Sequence, residues 1–202
     1  MGTDINMYAE VRRGGRWFLA EPLVQNQVCI DGSIFRGQPE WTPKSVYNDR
    51  NYSLFAMLAD VGNPIRSVTK FEIISKPRGL PRDVSPELMQ FHAAWENDAF
   101  AESWLLLDEL EKFDWHGKEI LRRGVVNPAV AHLFPPGRRG FPEPEWPEGL
   151  PISVGNQGVG AEVRWTETYA EAAGESFLNN TVSLLRGFGS PDNVRIVFWF
   201  DA

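Results

Sequence analysis

The sequence predicts an α+β fold in which one mixed or antiparallel sheet contains the strands at both ends of the chain. Residues 1–19 alternate polar and apolar side chains around a Gly-Gly pair, which is typical of a β-hairpin. Residues 194–200, Val-Arg-Ile-Val-Phe-Trp-Phe, are almost continuously apolar, as in a central strand covered on both faces. Amphipathic helical segments lie between these strands, so we expect helices to pack on the sheet.

Composition indicates one domain spanning residues 1–202, since 43% of the residues are hydrophobic and can bury a substantial core. The formal net charge of −7 disfavours nucleic-acid binding, because phosphate backbones would be repelled. No long apolar run or leader segment is visible, so we expect no membrane contact and a cytoplasmic location. The single cysteine excludes an internal disulfide and a cysteine-rich zinc site.

The first strand carries a polar row formed by Asp4, Asn6, Tyr8 and Glu10. Strand side chains alternate between faces, so we expect this row to lie on one side of a rigid element, available to a ligand. Residues 21–43 predict a loop-rich connection with one short strand.

A short buried helix is predicted around residues 54–58, ended by Gly62-Asn63-Pro64, with Arg50 and Tyr52 at its start. Residues 68–75 predict a strand. The segment 76–83 predicts a loop that leads into a helix, with Ser85 as its N-cap and Pro86 at the first helical position.

Arg78 and Arg82 lie close to this predicted helix start, where backbone N–H groups and the helix dipole favour anions. The two arginines therefore suit an anion-binding site. The alternative is that they are solvated residues beside a turn.

Residues 105–107 predict a buried strand, followed by a helix over 109–113 that Asp108 can cap. A second amphipathic helix is expected within 120–133. The proline-rich segment 135–151 predicts an irregular excursion without its own core, acting as a flap or a surface loop.

The glycine-rich segment 153–161 predicts a turn or hairpin, since no Gly-Lys-Ser/Thr follows and the next residues, 162–165, indicate a strand. The longest helical pattern covers 168–188, where Gly174 can introduce a kink. Turn residues follow at 190–193.

Several blocks together resemble an uncharacterised family of phage and bacterial proteins. The blocks are the opening Met-Gly-Thr-Asp-Ile-Asn, 50–56, 77–81, 83–85, 103–105, 113–115 and 194–201. The similarity covers most of the chain except the region 120–160. It implies a phage or prophage context and, if phage-encoded, a place in the host cytoplasm, but it implies no particular reaction.

Departures from the family pattern affect the chemistry that this chain can perform. Members open Met-Gly-Cys-Asp-Ile-His and carry Asp-Gly-His-Ser-His-Ser-Trp where this chain has residues 98–104, so Asn6 stands in place of a histidine. The carboxylates Asp4, Asp98 and Glu102 remain. Oxygen ligands alone suit Mg or Mn. The three histidines that would complete a metal or acid–base cluster in the family, one at position 6 and two within 98–104, are absent from this chain.

We therefore expect a phage-type protein that binds a small nucleotide-like ligand and sequesters a host immune signal, an anti-defence role that needs no cofactor. The expected ligand-binding residues combine polar, cationic and aromatic side chains: Asp4, Asn6, Tyr8, Arg50, Tyr52, Arg78, Arg82, Phe100 and Trp104. One alternative is a metal-dependent phosphodiesterase or nucleotide hydrolase with Mg or Mn on Asp4, Asp98 and Glu102. Another is a protein-interaction inhibitor of a host factor.

Overall fold

A computed structural model of the chain describes residues 2–26, 39–63, 68–95, 98–174 and 176–202.

The chain divides into two compact units. The first comprises Met1–Arg50, Ile74–Phe113 and Ser176–Ala202, and the second comprises Asn51–Ile73 and Asp114–Glu175. Each unit is therefore assembled from segments that are distant in sequence. The assignment of all 202 residues to one domain stays a prediction.

The first unit is built on a four-stranded antiparallel sheet in the order β2-β1-β8-β5. Its strands are β1 (Asp4–Arg13), β2 (Arg16–Leu19), β5 (Phe100–Leu106) and β8 (Val194–Asp201). The predicted α+β fold, with the first and last strands in one antiparallel sheet, is confirmed. All residues of β8 from Val194 to Phe200 are buried, as expected for a strand covered on both faces.

The Gly-Gly turn forms as predicted. Gly14 and Gly15 have φ angles of 54° and 80°, a conformation that other residues adopt only with strain, and they join Arg13 to its partner Arg16. A two-stranded sheet pairs β3 (Val24–Gln25) with β4 (Trp41–Thr42), inside the segment expected to hold one short strand. The central part of that segment, 27–38, lies outside the described residues.

One face of the central sheet is covered by helix α2 (Pro86–Ala93), which buries Leu88 and Phe91. These side chains pack with Tyr8 and Trp199 of the sheet. Pro86 occupies the start of α2 as predicted, whereas the Ser85 side chain makes no capping hydrogen bond. The Ser85 backbone N–H instead donates to Glu10 at 2.7 Å.

Helix α3 (Leu107–Lys112) follows β5 directly. The single helix predicted for 168–188 is wrong in its length. The structure has α4 (Tyr169–Ala173), a π-helix (Ser176–Val182) and α5 (Ser183–Phe188). Gly174 ends α4 because its φ of 81° leaves the helical region.

The second unit contains helix α1 (Tyr52–Ala59), α4, and a hairpin of β6 (Glu119–Val126) and β7 (Ala161–Thr168). The buried helix predicted at 54–58 is confirmed as α1, although it ends earlier than expected, at Asp60 with φ 60°.

Two predictions for this unit are wrong. Residues 120–126 form β6, with buried and exposed side chains alternating along the strand, so the helix expected over 120–133 is reduced to a 3₁₀ helix at its end, Pro128–Leu133. Residues 68–75 form no strand, because the backbone of Phe71 exchanges two hydrogen bonds with the Asn63 side chain and Glu72 N–H donates to the Tyr169 hydroxyl.

The proline-rich segment 135–151 is irregular apart from a short 3₁₀ turn, Glu143–Glu145. It nevertheless contacts a core that other segments form. Phe141, Trp146 and Leu150 pack against the buried cluster that includes Phe134 and Trp165. These three residues hold the segment against the β6–β7 hairpin, so it is not a free flap.

No helix within the described ranges is long and apolar enough to cross a membrane.

Candidate functional site

A cleft of about 600 Å³ in the first unit combines arginines with tryptophans. We call it the arginine–tryptophan cleft. It is lined by side chains of β1, β2, β5 and β8, by the loop 78–83 and by one residue of the turn before β8: Arg12, Trp17, Arg78, Leu80, Pro81, Arg82, Asp83, Trp104, Leu106, Asp192 and Arg195. Its volume falls within the roughly 300–1,000 Å³ typical of small-molecule sites.

Strand register creates the sheet side of the cleft. Arg195 lies directly opposite Glu10 on one neighbouring strand and Leu106 on the other, and Arg12 lies opposite Trp17. Residues directly opposite in an antiparallel sheet project from the same face. The sheet thus brings together residues that are up to 185 positions apart in sequence.

Arg195 fixes the base of the cleft. Its guanidinium donates to Glu10 at 2.8 Å, to the Asp83 carboxylate at 2.8 Å and to the Asp83 carbonyl at 3.1 Å. The side chains of Arg195 and Glu10 are 2% and 0% exposed. The same guanidinium lies 4.1 Å from the Trp17 ring centroid and 5.7 Å from that of Trp104, within the range of cation–π attraction.

Asp83 ties the loop to this base. Partial burial is the largest single influence on its carboxyl and raises its pKa, but hydrogen bonds from Arg195 and Trp17 and the charge of Arg195 together bring the pKa below its ordinary value. Asp83 is therefore ionised in the cleft at neutral pH.

A bulge in β5 positions the opposite wall. Ala101 has φ 51°, and the pairing with β8 shifts register between Phe100 and Ser103. The bulge leaves the Glu102 carbonyl to accept a hydrogen bond from Gly79 N–H at 2.9 Å, while the Ser103 hydroxyl accepts from Arg78 N–H at 3.2 Å. The loop carrying Arg78 is thereby attached to β5.

The Arg78 guanidinium lies 4.7 Å from the ring centroid of Trp104 and makes a two-point ion pair with Glu109 at 2.5 and 2.9 Å. Its Nε donates to Ser75 at 2.9 Å. For Glu109, burial raises the pKa most, yet hydrogen bonds from Arg78 and from the Leu106 backbone lower it overall. Arg78 is thus held over the indole ring.

Two cations of the cleft remain available. Arg12 and Arg82 both line it and both are exposed. In the described part of the chain, neither guanidinium has a hydrogen-bond or ion-pair partner. Arg78 and Arg195 are bound to carboxylates, so Arg12 and Arg82 are the arginines of this cleft that can contact an anion without breaking an ion pair.

The structure brings together three of the predicted ligand-binding residues, Arg78, Arg82 and Trp104, in this cleft. Phe100, at the start of β5, lies against Phe200 with ring centroids 6.0 Å apart, and it does not line the cleft.

The polar row of β1 is engaged in internal contacts. Asp4 accepts two hydrogen bonds from Arg50, at 2.6 and 2.8 Å, and these lower the pKa of Asp4. Asn6 donates to Asp201 at 2.8 Å. No local pattern indicated these partners, and the geometry places none of the three predicted residues Asp4, Asn6 and Arg50 in the cleft.

Tyr8 and Glu10 correct the expectation of an available polar face, since they are 4% and 0% exposed. Tyr8 packs edge-on against Phe91 at 5.6 Å and lies 5.1 Å from Trp199, and burial raises its pKa. Both residues are part of the interior of the first unit.

The proposed metal ligands do not form a metal site in the structure. In the ranges that it describes, no three His, Cys, Asp or Glu residues are arranged to hold a metal ion. Asp4 is paired with Arg50, and Glu102 lies 3.5 Å from His92. Asp98 is exposed just before β5.

Tyr52 begins α1 in the second unit, where its ring lies 5.6 Å from that of Phe55.

Sequence patterns did not reveal Arg12, Trp17 and Arg195 as cleft residues. Arg12 and Trp17 flank the Gly-Gly turn at opposing positions, so the hairpin register contained a signal for that pair. Arg195 could not be found in this way, because its position depends on the pairing of β8 with β1 and β5.

No family model, curated protein or solved structure matches this chain. The resemblance to a phage and bacterial family stays an expectation from the sequence.

Proposed function

We propose that this protein binds a small planar anion of the nucleotide type in the arginine–tryptophan cleft. The observation that carries the proposal is the pair of arginines, Arg12 and Arg82, that have no partner among the described residues and lie beside arginine–tryptophan cation–π contacts. Free guanidinium groups suit phosphate oxygens, which they can contact with two parallel hydrogen bonds.

The aromatic wall favours a ligand with a planar part. Trp104 is partly exposed, and the Arg78 guanidinium lies over its ring. A nucleobase can stack on such an indole–guanidinium pair, and stacking of this kind contributes about 1–3 kcal/mol per base. A ligand with a base and a phosphate would therefore use both features of the cleft.

The side chains of the cleft are held in place before a ligand binds. Arg195, Asp83 and Glu109 hold the loop and the tryptophans through ion pairs and hydrogen bonds. A preorganised site loses less conformational entropy when its ligand binds. We propose sequestration of the intact ligand, with a nucleotide-like host signal as the target in the phage context that the resemblance implies.

The hydrolase alternative finds less support. It requires Asp4 to coordinate a cation, whereas the Arg50 guanidinium occupies both carboxylate oxygens of Asp4. Inhibition of a host protein stays a prediction.

Calorimetric titration with AMP, ATP and a cyclic dinucleotide tests the proposal. We expect at least one of them to bind, adenosine without phosphate to bind more weakly than AMP, and Arg82→Ala or Arg12→Ala to weaken binding about tenfold or more, since hydrogen bonds to charged groups contribute about 1.5–3 kcal/mol. Arg13→Ala is the matched control. It removes the same charge from the neighbouring, exposed position of β1, which does not line the cleft.

If Arg13→Ala and Arg82→Ala weaken nucleotide binding equally, only net charge matters, and the proposal that the cleft is the binding site is wrong. Chromatography of the recovered nucleotide, after incubation with Mg²⁺ or Mn²⁺, separates the two activities. Recovery of the intact compound supports sequestration, and metal-dependent turnover abolished by Asp4→Ala supports the hydrolase.

A further inference from the structure

The β6–β7 hairpin of the second unit places two arginines directly opposite each other. Arg123 of β6 pairs in register with Arg164 of β7, and both side chains are on the exposed face. Like charges directly opposite in an antiparallel pair are destabilising. This arrangement therefore needs a compensating interaction or carries a cost in stability.

Backbone hydrogen bonds show that the two side chains start from the closest cross-strand spacing. The backbone N–H and C=O groups of Val125 both bond with Gly155, so these two groups point away from β7. Thr166 likewise bonds with Arg138 and Gly140, away from β6. Because this orientation repeats every second residue, Arg123 and Arg164 form a non-hydrogen-bonded pair, in which side chains are closer than in the alternative pair.

Neither arginine is neutralised by the part of the protein that the structure describes. Within the described residues, Arg123 and Arg164 have no hydrogen-bond or ion-pair partner. They line a cavity of about 290 Å³ together with Asn156 and Glu162, whose side chains also lack such partners in the described ranges. Glu162, although it lines the same cavity, pairs with neither guanidinium.

We propose that Arg123 and Arg164 form a second anion site, which binds a tetrahedral oxyanion of the phosphate type, free or as a terminal phosphate monoester. Two guanidinium groups can each donate to different oxygens of one phosphate, and the Asn156 amide can donate to a third. The anion removes the repulsion between the arginines. Glu162 limits the affinity, because its carboxylate repels the same anion.

This site is independent of the arginine–tryptophan cleft, since all its residues belong to the second unit. The test is a titration of ¹⁵N-labelled protein with inorganic phosphate or with phosphoserine at constant ionic strength, followed by backbone and guanidinium NMR signals. We expect saturable shifts of the signals from residues 121–126 and 161–166. Tighter binding of phosphoserine would indicate a phosphorylated ligand, and equal binding would indicate free phosphate.

Substitutions of the site residues should change phosphate affinity and stability in a specific pattern. Arg123→Gln and Arg164→Gln should each weaken phosphate binding about tenfold or more, by loss of charged hydrogen bonds. Both should also raise the urea midpoint in chloride buffer, because they remove the repulsion. Glu162→Gln should strengthen phosphate binding. Arg82→Ala should leave these shifts unchanged and serves as the control that separates this site from the cleft.

Absence of saturable shifts in the wild-type protein, or shifts that persist unchanged in both Arg→Gln variants, would overturn the second site. A urea midpoint that falls in Arg123→Gln and Arg164→Gln would likewise contradict it, since it would show that the arginines stabilise the hairpin without an anion.

Discussion

Replacement of Arg195 by methionine tests whether the ion pair between Arg195 and Glu10, at the base of the cleft, is shielded from solvent as its burial indicates. Methionine retains an apolar side chain of similar length but removes the charge. It leaves the fully buried Glu10 carboxylate without its cation, although Ser85 N–H still donates to it. The other carboxylate, Asp83, is 66% exposed and can be solvated by water.

The expected cost follows from these exposures. Breaking a buried ion pair from one side costs about 3–5 kcal/mol, because a buried charge is left uncompensated. The Asp83 interaction adds at most about 1 kcal/mol, as for other solvent-exposed pairs. A loss of about 4 kcal/mol lowers the melting temperature of a chain of this size by roughly 8–16 °C. A loss of about 4 kcal/mol is a large part of the roughly 5–15 kcal/mol free energy of unfolding of most proteins.

Urea unfolding followed by far-UV circular dichroism measures this loss. Arg186→Met is the matched control, because Arg186 is half-exposed and pairs with Glu111 at 2.7 Å. We expect that control to cost less than about 1 kcal/mol. The double variant Arg195→Met with Glu10→Gln should recover part of the loss, because the amide keeps an acceptor for Ser85 without a charge. If Arg195→Met lowers the free energy of unfolding no more than Arg186→Met does, the ion pair at the base of the cleft is not shielded from solvent and the reasoning is refuted.

Two further predictions concern the loop and its support. Ala101→Gly should stabilise the protein by about 1 kcal/mol in the same unfolding assay, because Ala101 adopts a positive φ that glycine accepts without strain; a loss of stability would show that the methyl group has a packing role. Asp83 and Glu109 both have a pKa below their ordinary values, so the stability that they contribute is complete above their unfolded pKa values and is lost as the pH falls through the lower, folded values. Unfolding free energies measured from about pH 6 to about pH 2 should therefore decline less steeply in the Asp83→Asn and Glu109→Gln variants than in the wild type, and parallel curves would contradict the assignment.

Local patterns were sufficient for the elements whose structure depends on neighbouring residues. The first hairpin follows from alternation around Gly14 and Gly15, and α1 follows from its run of apolar residues. The last strand was recognisable because a continuous apolar run suits burial on two faces.

Two elements that depend on distant partners were not predictable. Residues 120–126 carry apolar side chains compatible with either a helix or a strand, and pairing with β7, much later in the chain, decides for the strand. Residues 68–75 have strand-forming composition, but a side-chain amide and a tyrosine hydroxyl take the hydrogen bonds that a neighbouring strand would need.

The candidate site was predictable to a similar extent. Arg78 and Arg82 were predictable because they lie close to a predicted helix start, and Trp104 because an aromatic side chain suits contact with a planar ligand. The polar row of β1 was misleading. Alternation shows that side chains share a face, but it does not show whether α2 covers that face, as it covers Tyr8.

The pairing of β1 with β8 has a consequence for biosynthesis. The buried ion pair joins Glu10 to Arg195, 185 positions later. At roughly 5–20 residues per second, β1 waits on the order of 10–40 s on the ribosome with one edge unpaired and its carboxylate without a cation. Synthesis of the last strand therefore completes the sheet and the cleft in a single late step. A nascent chain stalled before residue 194 therefore lacks Arg195 and the strand that completes the cleft, and it leaves an edge of β1 unpaired and prone to aggregation.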